Sequence, residues 1–184
     1  MVYTRAELKK EAKQALAGKW GISVGVTLIY ILLSAVVSYV PIIGGIALFL
    51  CSPALTMGFT LFFLKISRKE DAGIETLFQW FHNLFKAFGL NFVIQLFVFL
   101  WSLLFIIPGI IASIRYSMAF FIMLDNPDIG IMDAIRESKR ITNGYKMDIF
   151  ILYLSFIGWA LLAALTFGIG YLWLIPYIQT TLAN

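Results

Sequence analysis

Residues 149–182 read IFILYLSFIGWALLAALTFGIGYLWLIPYIQTTL and contain no lysine, arginine, aspartate or glutamate. The stretch consists of two apolar segments separated by Gly168-Ile169-Gly170. A helix that crosses a bilayer needs about 20 consecutive apolar residues, and glycines between two such helices permit a tight turn. The stretch therefore predicts a transmembrane helical hairpin.

The composition of the whole chain agrees with a membrane environment. Hydrophobic residues make up 61% of the 184 positions and charged residues only 13%, whereas a soluble domain carries roughly 25% charged residues. This excludes a water-soluble globule. Residues 1–19 are polar and charged throughout, so they do not form a cleavable signal peptide, which needs an apolar core.

Six apolar segments alternate with turns or charged loops. They cover residues 20–40, 42–64, 89–107, 110–124, 149–167 and 171–182. The fourth and sixth are short for a bilayer. The uncharged turns contain Pro41, Pro108-Gly109 and Gly168, which favour tight hairpins. The predicted fold is an all-α polytopic membrane bundle of six transmembrane helices in three hairpins, with amphipathic interfacial helices on the cytoplasmic side.

The basic residues predict the orientation. Thirteen of the 14 lysines and arginines lie in residues 1–19, 65–88 and 125–148, which are alternate loops of the six-helix arrangement. Loops rich in lysine and arginine stay in the cytoplasm. Both termini are therefore expected in the cytoplasm.

Each charged loop holds a predicted amphipathic helix. Thr4 and Glu7 form a capping-box pattern, and Pro127 suits the first turn of the third such helix. The apolar residues of the three helices have helical spacing, so we expect each to lie in the membrane interface, with docking to a partner protein as the alternative. They are Leu8, Ala12, Ala15 and Leu16; Ile74, Leu77, Phe78, Phe81, Leu84, Phe85 and Phe88; and Ile131, Ala134, Ile135 and Ser138.

The three hairpins also predict an internal repeat within a single domain, residues 1–184. The turns and the starts of the outgoing segments are both spaced by 67 and then 60 residues. These landmarks are Pro41, Pro108 and Gly168 for the turns, and Lys19, Lys86 and Lys146 for the starts. The repeat units would be residues 1–64, 65–124 and 125–184.

Motifs of soluble enzymes are missing. The chain has no GxSxG, P-loop or HExxH motif, and its one histidine, His82, has no cysteine or carboxylate at metal-ligand spacing. All ten acidic residues lie in the charged loops or at their edges. We therefore predict no catalytic residue, no metal and no cofactor, and the missing intramembrane carboxylate counts against a proton-coupled transporter.

Arg115 is the one basic residue within an apolar segment. An arginine in hydrocarbon costs roughly 3 kcal/mol or more without a partner. Three interpretations remain: it extends to the outer phosphates, it hydrogen-bonds Ser102, Gln95 or Tyr116, or it lines a cavity for an anionic headgroup. Asn91, Gln95 and Ser102 form one polar stripe that we expect to face the bundle interior. The candidate headgroup or cavity residues are Arg115, Gln95, Asn91, Ser102 and Tyr116.

Short motifs in the second half resemble a family of uncharacterised bacterial integral membrane proteins. The motifs are Asp125-Asn126-Pro127, Ala134-Ile135, Glu137-Ser138-Lys139, Gly144-Tyr145-Lys146, residues 154–159, Gly168-Ile169-Gly170, Trp173-Leu174 and Pro176-Tyr177. Residues 85–184 match in detail and the first half by topology. That family is distantly related to the membrane domain attached to some glycerophosphodiester phosphodiesterases. The resemblance implies a bacterial plasma membrane and, by association, the handling of lipids or headgroups, but supplies no catalytic residue.

Two functions follow as hypotheses. The first is a non-enzymatic bundle that binds lipids or other amphiphiles or acts as an accessory scaffold. The second is a small-solute or peptide exporter or permease. Expected partners are membrane lipids, including anionic ones, and a partner protein or a second copy of the chain, but not nucleic acid.

Overall fold

The computed structural model describes residues 4–38 and 43–183, without the side chains of residues 36–38, 43–48, 104 and 106. Every regular element in this part of the chain is helical. The α-helices are α1 (Arg5–Leu16), α2 (Trp20–Ser38), α3 (Ile43–Ser67), α4 (Leu84–Leu104), α5 (Ile106–Tyr116), α6 (Ala119–Asp125), α7 (Ile131–Ile141), α8 (Lys146–Leu165) and α9 (Tyr171–Ala183). Two short 3₁₀ helices, Ile74–Phe78 and Phe81–Asn83, precede α4. The predicted turn at Pro41 lies outside the described residues.

Four helical segments are long and apolar enough to cross a membrane. They are Phe49–Ser67, Ile74–Leu103, Ile107–Asp125 and Lys146–Leu165. A fifth exists if Arg5–Leu16 and Trp20–Ala35, which meet at a bend of 95°, form one broken span. The 13 residues of α9 cover about 20 Å, which is short of a hydrocarbon core of about 30 Å. These lengths are consistent with a membrane protein, and the six-span hairpin arrangement stays a prediction.

Helix α1 begins with the predicted capping box. The backbone N–H of Thr4 donates to Oε2 of Glu7 at 2.6 Å, and the N–H of Glu7 donates back to Oγ1 of Thr4. This satisfies two N–H groups that the first helical turn would otherwise leave unpaired. The apolar face is buried at Ala12, Ala15 and Leu16. Because this face contacts α9 and α3, α1 is anchored on the bundle itself.

The predicted continuous amphipathic helix from Ile74 to Phe88 is wrong, because the chain forms the two 3₁₀ helices there and α4 begins only at Leu84. Leu77 and Trp80 are both buried. Leu77 lies in the first 3₁₀ helix and Trp80 in the turn between the two, and each packs into a different cluster of the core. Gly58 of α3 faces the Leu77 backbone directly and leaves no room for a side chain between them.

The predicted turn at Pro108-Gly109 is displaced toward the N-terminus. Phe105 has an extended backbone (φ −162°, ψ 153°) and separates α4 from α5, so Pro108 lies in the first turn of α5. A proline is tolerated there because the first N–H groups of a helix have no intrahelical acceptor. A Cβ atom at Gly109 would lie 3.1 Å from the Cα atom of Ser102, so Gly109 allows α4 and α5 to approach closely. The fourth predicted span contains a break between α5 and α6 at Ser117-Met118, but Ile107–Asp125 as a whole is still long and apolar enough to cross a membrane.

Helix α7 begins at Ile131, not at Pro127 as predicted. Lys86 donates a hydrogen bond to the Pro127 carbonyl, and Gly130 has an extended backbone (φ −67°, ψ 147°) just before the helix. The hydrogen bond and the extended backbone place Pro127 in the loop that precedes α7. On the predicted face of α7, Ala134, Ile135 and Ser138 are buried and lie against α4, α5 and α6, so the face packs on the bundle; its placement in the membrane interface stays a prediction.

The core is formed mainly by α3, against which most other helices pack. One cluster joins α3 to α4, α5, α6 and α7, and a second joins it to α1 and α2. By contrast, α4 and α8 expose most of their apolar surface, for example Phe85 at 84% and Leu161 at 64%. Such apolar faces favour contact with acyl chains.

Candidate functional site

A cavity of about 320 Å³ lies where α3, α4, α5, α6, α8 and α9 meet. Eight of its lining residues are polar and uncharged, and the remainder are apolar. The polar residues are Thr56, Thr60, Gln95, Ser113, Tyr116, Ser117, Tyr153 and Gln179. The apolar residues are Ile94, Val98, Phe120, Phe121 and Leu182. No charged side chain belongs to this lining.

The threonine and serine hydroxyls of the cavity act as acceptors. Each donates its proton to a carbonyl of its own helix: Thr56 to Ser52, Thr60 to Thr56, Ser113 to Ile110 and Ser117 to Ile114, at 2.8 to 2.9 Å. A hydroxyl that donates in this way keeps its lone pairs available, although Thr56 Oγ1 already accepts from the Tyr30 hydroxyl at 3.3 Å. The cavity wall therefore presents several acceptors for a donor group of a ligand.

Four larger polar side chains supply the donors. Gln95, Gln179, Tyr116 and Tyr153 line the cavity, and their side chains make no hydrogen bond to any other residue in the described part of the chain. Primary amides and phenols both donate and accept. Because Gln95 and Tyr153 are exposed and Gln179 is partly exposed, these polar groups are accessible to water or to a polar ligand. The charge-free lining favours an uncharged hydroxyl, amide or ester group.

A groove between α5 and α8 adjoins the cavity. This second space of about 280 Å³ is lined by Ile110, Ser113, Ile114, Phe150 and Tyr153. Ser113 and Tyr153 therefore belong to both spaces. The other three groove residues are apolar and Tyr153 is 38% exposed, so the polar cavity lies beside an apolar groove at the surface of the bundle.

Arg115 lies outside the central cavity. It lines a separate cavity of about 170 Å³ with Trp101, Pro108 and Tyr116, among others. Its Nε atom is buried and has no hydrogen-bond partner within the described residues, and its guanidinium donates to none of the three partners considered above. Its carbonyl accepts a bond from the Ser138 hydroxyl at 2.8 Å, which joins α5 to α7.

The turn at Phe105 also changes how far Arg115 lies from the turn between α4 and α5. Arg115 follows Phe105 by ten residues, which is about 15 Å at the rise of an α-helix. The predicted turn at Gly109 gave only about 9 Å. Arg115 therefore lies farther from the α4–α5 turn than predicted, and its extension to the outer phosphates stays a prediction. Lys139 of α7 lies nearby, with Nζ 5.4 Å from the centre of the Tyr116 ring.

The five predicted site residues do not lie together at one site in the structure. Gln95 and Tyr116 meet at the central cavity, and Tyr116 also lines the cavity beside Arg115. Ser102 donates to the Val98 carbonyl of its own helix at 2.8 Å and packs against Gly109. Asn91 and Ser102 line neither cavity, and because Gln95 and Ser102 are both exposed, the prediction that this stripe faces the bundle interior is wrong.

Most residues of the central cavity are not among the residues predicted from the sequence. Thr56 and Thr60 lie one turn apart on α3, and Gln179 is the one amide of the last apolar segment. A polar pair at a spacing of four residues was therefore visible in the sequence. Tyr153 gave no such signal, because a tyrosine is common in apolar segments.

A search of family models found one match, described as "Protein of unknown function (DUF975)", over residues 1–112 and 103–184. No curated protein and no solved structure matches the chain. The two matched ranges together include every residue of the central cavity.

Proposed function

The chain belongs to the family described as "Protein of unknown function (DUF975)", and from its geometry we propose that it is a non-enzymatic amphiphile-binding protein of the bacterial plasma membrane. One observation supports this proposal above the others: a polar cavity with no charged residue among its described lining adjoins an apolar groove, and the two share Ser113 and Tyr153.

The two adjoining spaces, one polar and one apolar, match the polar headgroup and the apolar chain of an amphiphile. The headgroup would occupy the central cavity, with its hydroxyl or amide groups hydrogen-bonded by Gln95, Tyr116 and Gln179. The chain would leave through the groove beside Ile114 and Phe150. Burying each methylene of that chain contributes about 0.8 kcal/mol relative to water. A ligand of this kind uses both surfaces, whereas a purely polar solute would leave the groove empty.

The setting of the site is also part of the proposal. We place both termini and the charged loops in the cytoplasm and the six apolar segments across the membrane as three hairpins, following the distribution of basic residues. The proposal also follows the resemblance of the sequence motifs to a family distantly related to the membrane domain of glycerophosphodiester phosphodiesterases, which implies headgroup handling. An accessory role as a scaffold for a partner protein is compatible with the same ligand.

Gln95→Leu tests the polar half of the site. We expect the purified variant to retain at least tenfold less amphiphile than the wild type, because a leucine removes the donor and acceptor that face the headgroup, at a cost of about 1.4 kcal/mol or more. Native mass spectrometry after release from mild detergent measures the bound fraction. Asn91→Leu is the matched control, since Asn91 lies one turn away on α4 but does not line the cavity. Equal losses in the two variants would contradict the proposal.

Arg115→Gln tests whether the headgroup binds in the central cavity or in the smaller cavity beside Arg115. We expect this variant to retain the amphiphile to within about twofold of the wild type, because Arg115 does not line the central cavity. Selective loss of an anionic lipid would instead place the headgroup beside Arg115.

The same cavity suits a second function, a permease or exporter for a neutral solute, because its eight polar residues form an uncharged polar surface inside the bundle. The bound compound distinguishes the two. A water-soluble ligand without an alkyl chain would favour transport of a solute, and a compound with an acyl or alkyl chain would favour amphiphile binding.

A further inference from the structure

A second groove, of about 340 Å³, lies between the N-terminal helices α1 and α2 and the hairpin of α8 and α9. It shares no lining residue with the central cavity. Its lining is apolar and aromatic except for Lys13, Thr166 and the Tyr177 hydroxyl. The lining residues are Lys13, Trp20, Trp159, Leu162, Ala163, Thr166, Gly170, Trp173, Leu174 and Tyr177.

Lys13 gives this groove an uncompensated positive charge. Its Nζ atom lies 5.7 Å from the centre of the Tyr177 ring, and no carboxylate lies within salt-bridge distance of it in the described part of the chain. The neighbouring Lys9 is in the same situation, with Nζ 4.2 Å from the centre of the Phe156 ring. Two ammonium groups thus face the α8–α9 hairpin from α1, held by aromatic faces.

The tryptophans add donors beside an apolar floor. Trp20, Trp159 and Trp173 line the groove, and none of their indole N–H groups donates to another residue in the described ranges. The Thr166 hydroxyl is already used, since it donates to the Ala163 carbonyl at 2.7 Å and accepts from the Gly170 N–H at 2.8 Å. Trp159 and Trp173 are each at least half exposed, so the groove is open at the side.

We propose that this groove binds one anionic phospholipid, with its phosphate against Lys13 and its acyl chains along Trp159, Leu162 and Trp173. Charge complementarity carries the assignment. A cation without a carboxylate partner, at one end of an apolar groove, matches a ligand with an anion at one end and hydrocarbon at the other. A zwitterionic lipid would bind less tightly, because the lysines would repel its own ammonium group.

The bilayer leaflet follows from the orientation given above. With the N-terminus in the cytoplasm, Lys13 lies toward the inner leaflet, and the groove extends from there toward the turn at Gly168. The bound lipid would therefore come from the inner leaflet. This inference depends on the orientation but not on the amphiphile in the central cavity.

Quenching of tryptophan fluorescence by brominated lipids tests the inference. The protein is placed in detergent micelles with increasing brominated phosphatidylglycerol or brominated phosphatidylcholine. For the wild type, we expect half-maximal quenching at about tenfold less of the anionic lipid, the difference that one charge-assisted contact of about 1.4 kcal/mol provides. No preference for the anionic lipid would overturn the inference.

One pair of single variants and one double variant locate the binding site. Lys13→Gln should abolish the preference, whereas Lys10→Gln, with the same loss of charge on an exposed position of α1, should keep it. Equal effects of the two would mean that the net charge of α1, not this groove, attracts the lipid. In the double variant Trp159→Phe with Trp173→Phe, the anion-selective part of the quenching should be lost. If it persists unchanged, the lipid lies elsewhere.

Discussion

Gly58→Ala is expected to lower the free energy of unfolding by about 3 kcal/mol and the melting temperature by about 10 °C. A Cβ atom at position 58 would lie 2.8 Å from the Cα atom of Leu77 and closer still to its carbonyl group. The obstacle is backbone, which does not rotate away as a side chain would. The 3₁₀ helix Ile74–Phe78 would therefore have to shift, and the buried Leu77 would shift with it.

Gly158→Ala is the matched control for this change. Gly158 also lies inside a long helix, α8, but nothing lies within 4 Å of an added Cβ atom there. Alanine has a higher helix propensity than glycine by up to about 1 kcal/mol, so this variant should melt at the same temperature as the wild type or slightly higher. Thermal unfolding in detergent measures both. Equal melting temperatures for the two variants would contradict the close contact between α3 and the 3₁₀ helix.

Ser113→Phe is expected to reduce the retained amphiphile at least tenfold. Ser113 lines both the polar cavity and the apolar groove, so a phenyl ring there would fill space in both. Its hydroxyl bonds only the Ile110 carbonyl of its own helix and the residue is exposed, so the fold should survive the change. The bound fraction is measured by native mass spectrometry at matched protein concentration.

Ser155→Phe provides the comparison for steric bulk alone. Ser155 is likewise an exposed serine, with its hydroxyl bonded to the Leu152 carbonyl of its own helix at 2.6 Å, and it lines neither space. This variant should retain the amphiphile as the wild type does. If Ser113→Phe also retains it, the adjoining cavity and groove are not the binding site.

Local features of this chain were predictable where neighbouring residues decide the structure. The capping box of Thr4 and Glu7 and the buried face of α7 follow from contacts within one or two helical turns. The turn at Gly168 is of the same kind, since its φ of +86° suits glycine. For these features the sequence pattern and the structure coincide.

Features that depend on contacts between distant segments were not predictable. The 3₁₀ turns before α4 form where Leu77 meets Gly58, and that contact is invisible to a search for helical periodicity. Pro108 was interpreted as a turn residue because proline also suits the first turn of a helix, and the pattern does not distinguish the two. The central cavity draws on six helices, so only the polar stripe containing Gln95 pointed toward it.

The most direct test of amphiphile binding is photocrosslinking from the wall shared by the cavity and the groove. Tyr153→p-benzoylphenylalanine places the reactive ketone in that wall, and Leu161→p-benzoylphenylalanine places it on the outer face of α8, where Leu161 is 64% exposed. After irradiation in native membranes, mass spectrometry identifies the attached compounds. We predict that position 153 captures one amphiphile selectively, while position 161 captures the bulk lipids in proportion to their abundance. Identical lipid profiles at the two positions, or a water-soluble compound without a hydrocarbon chain at position 153, would contradict the account.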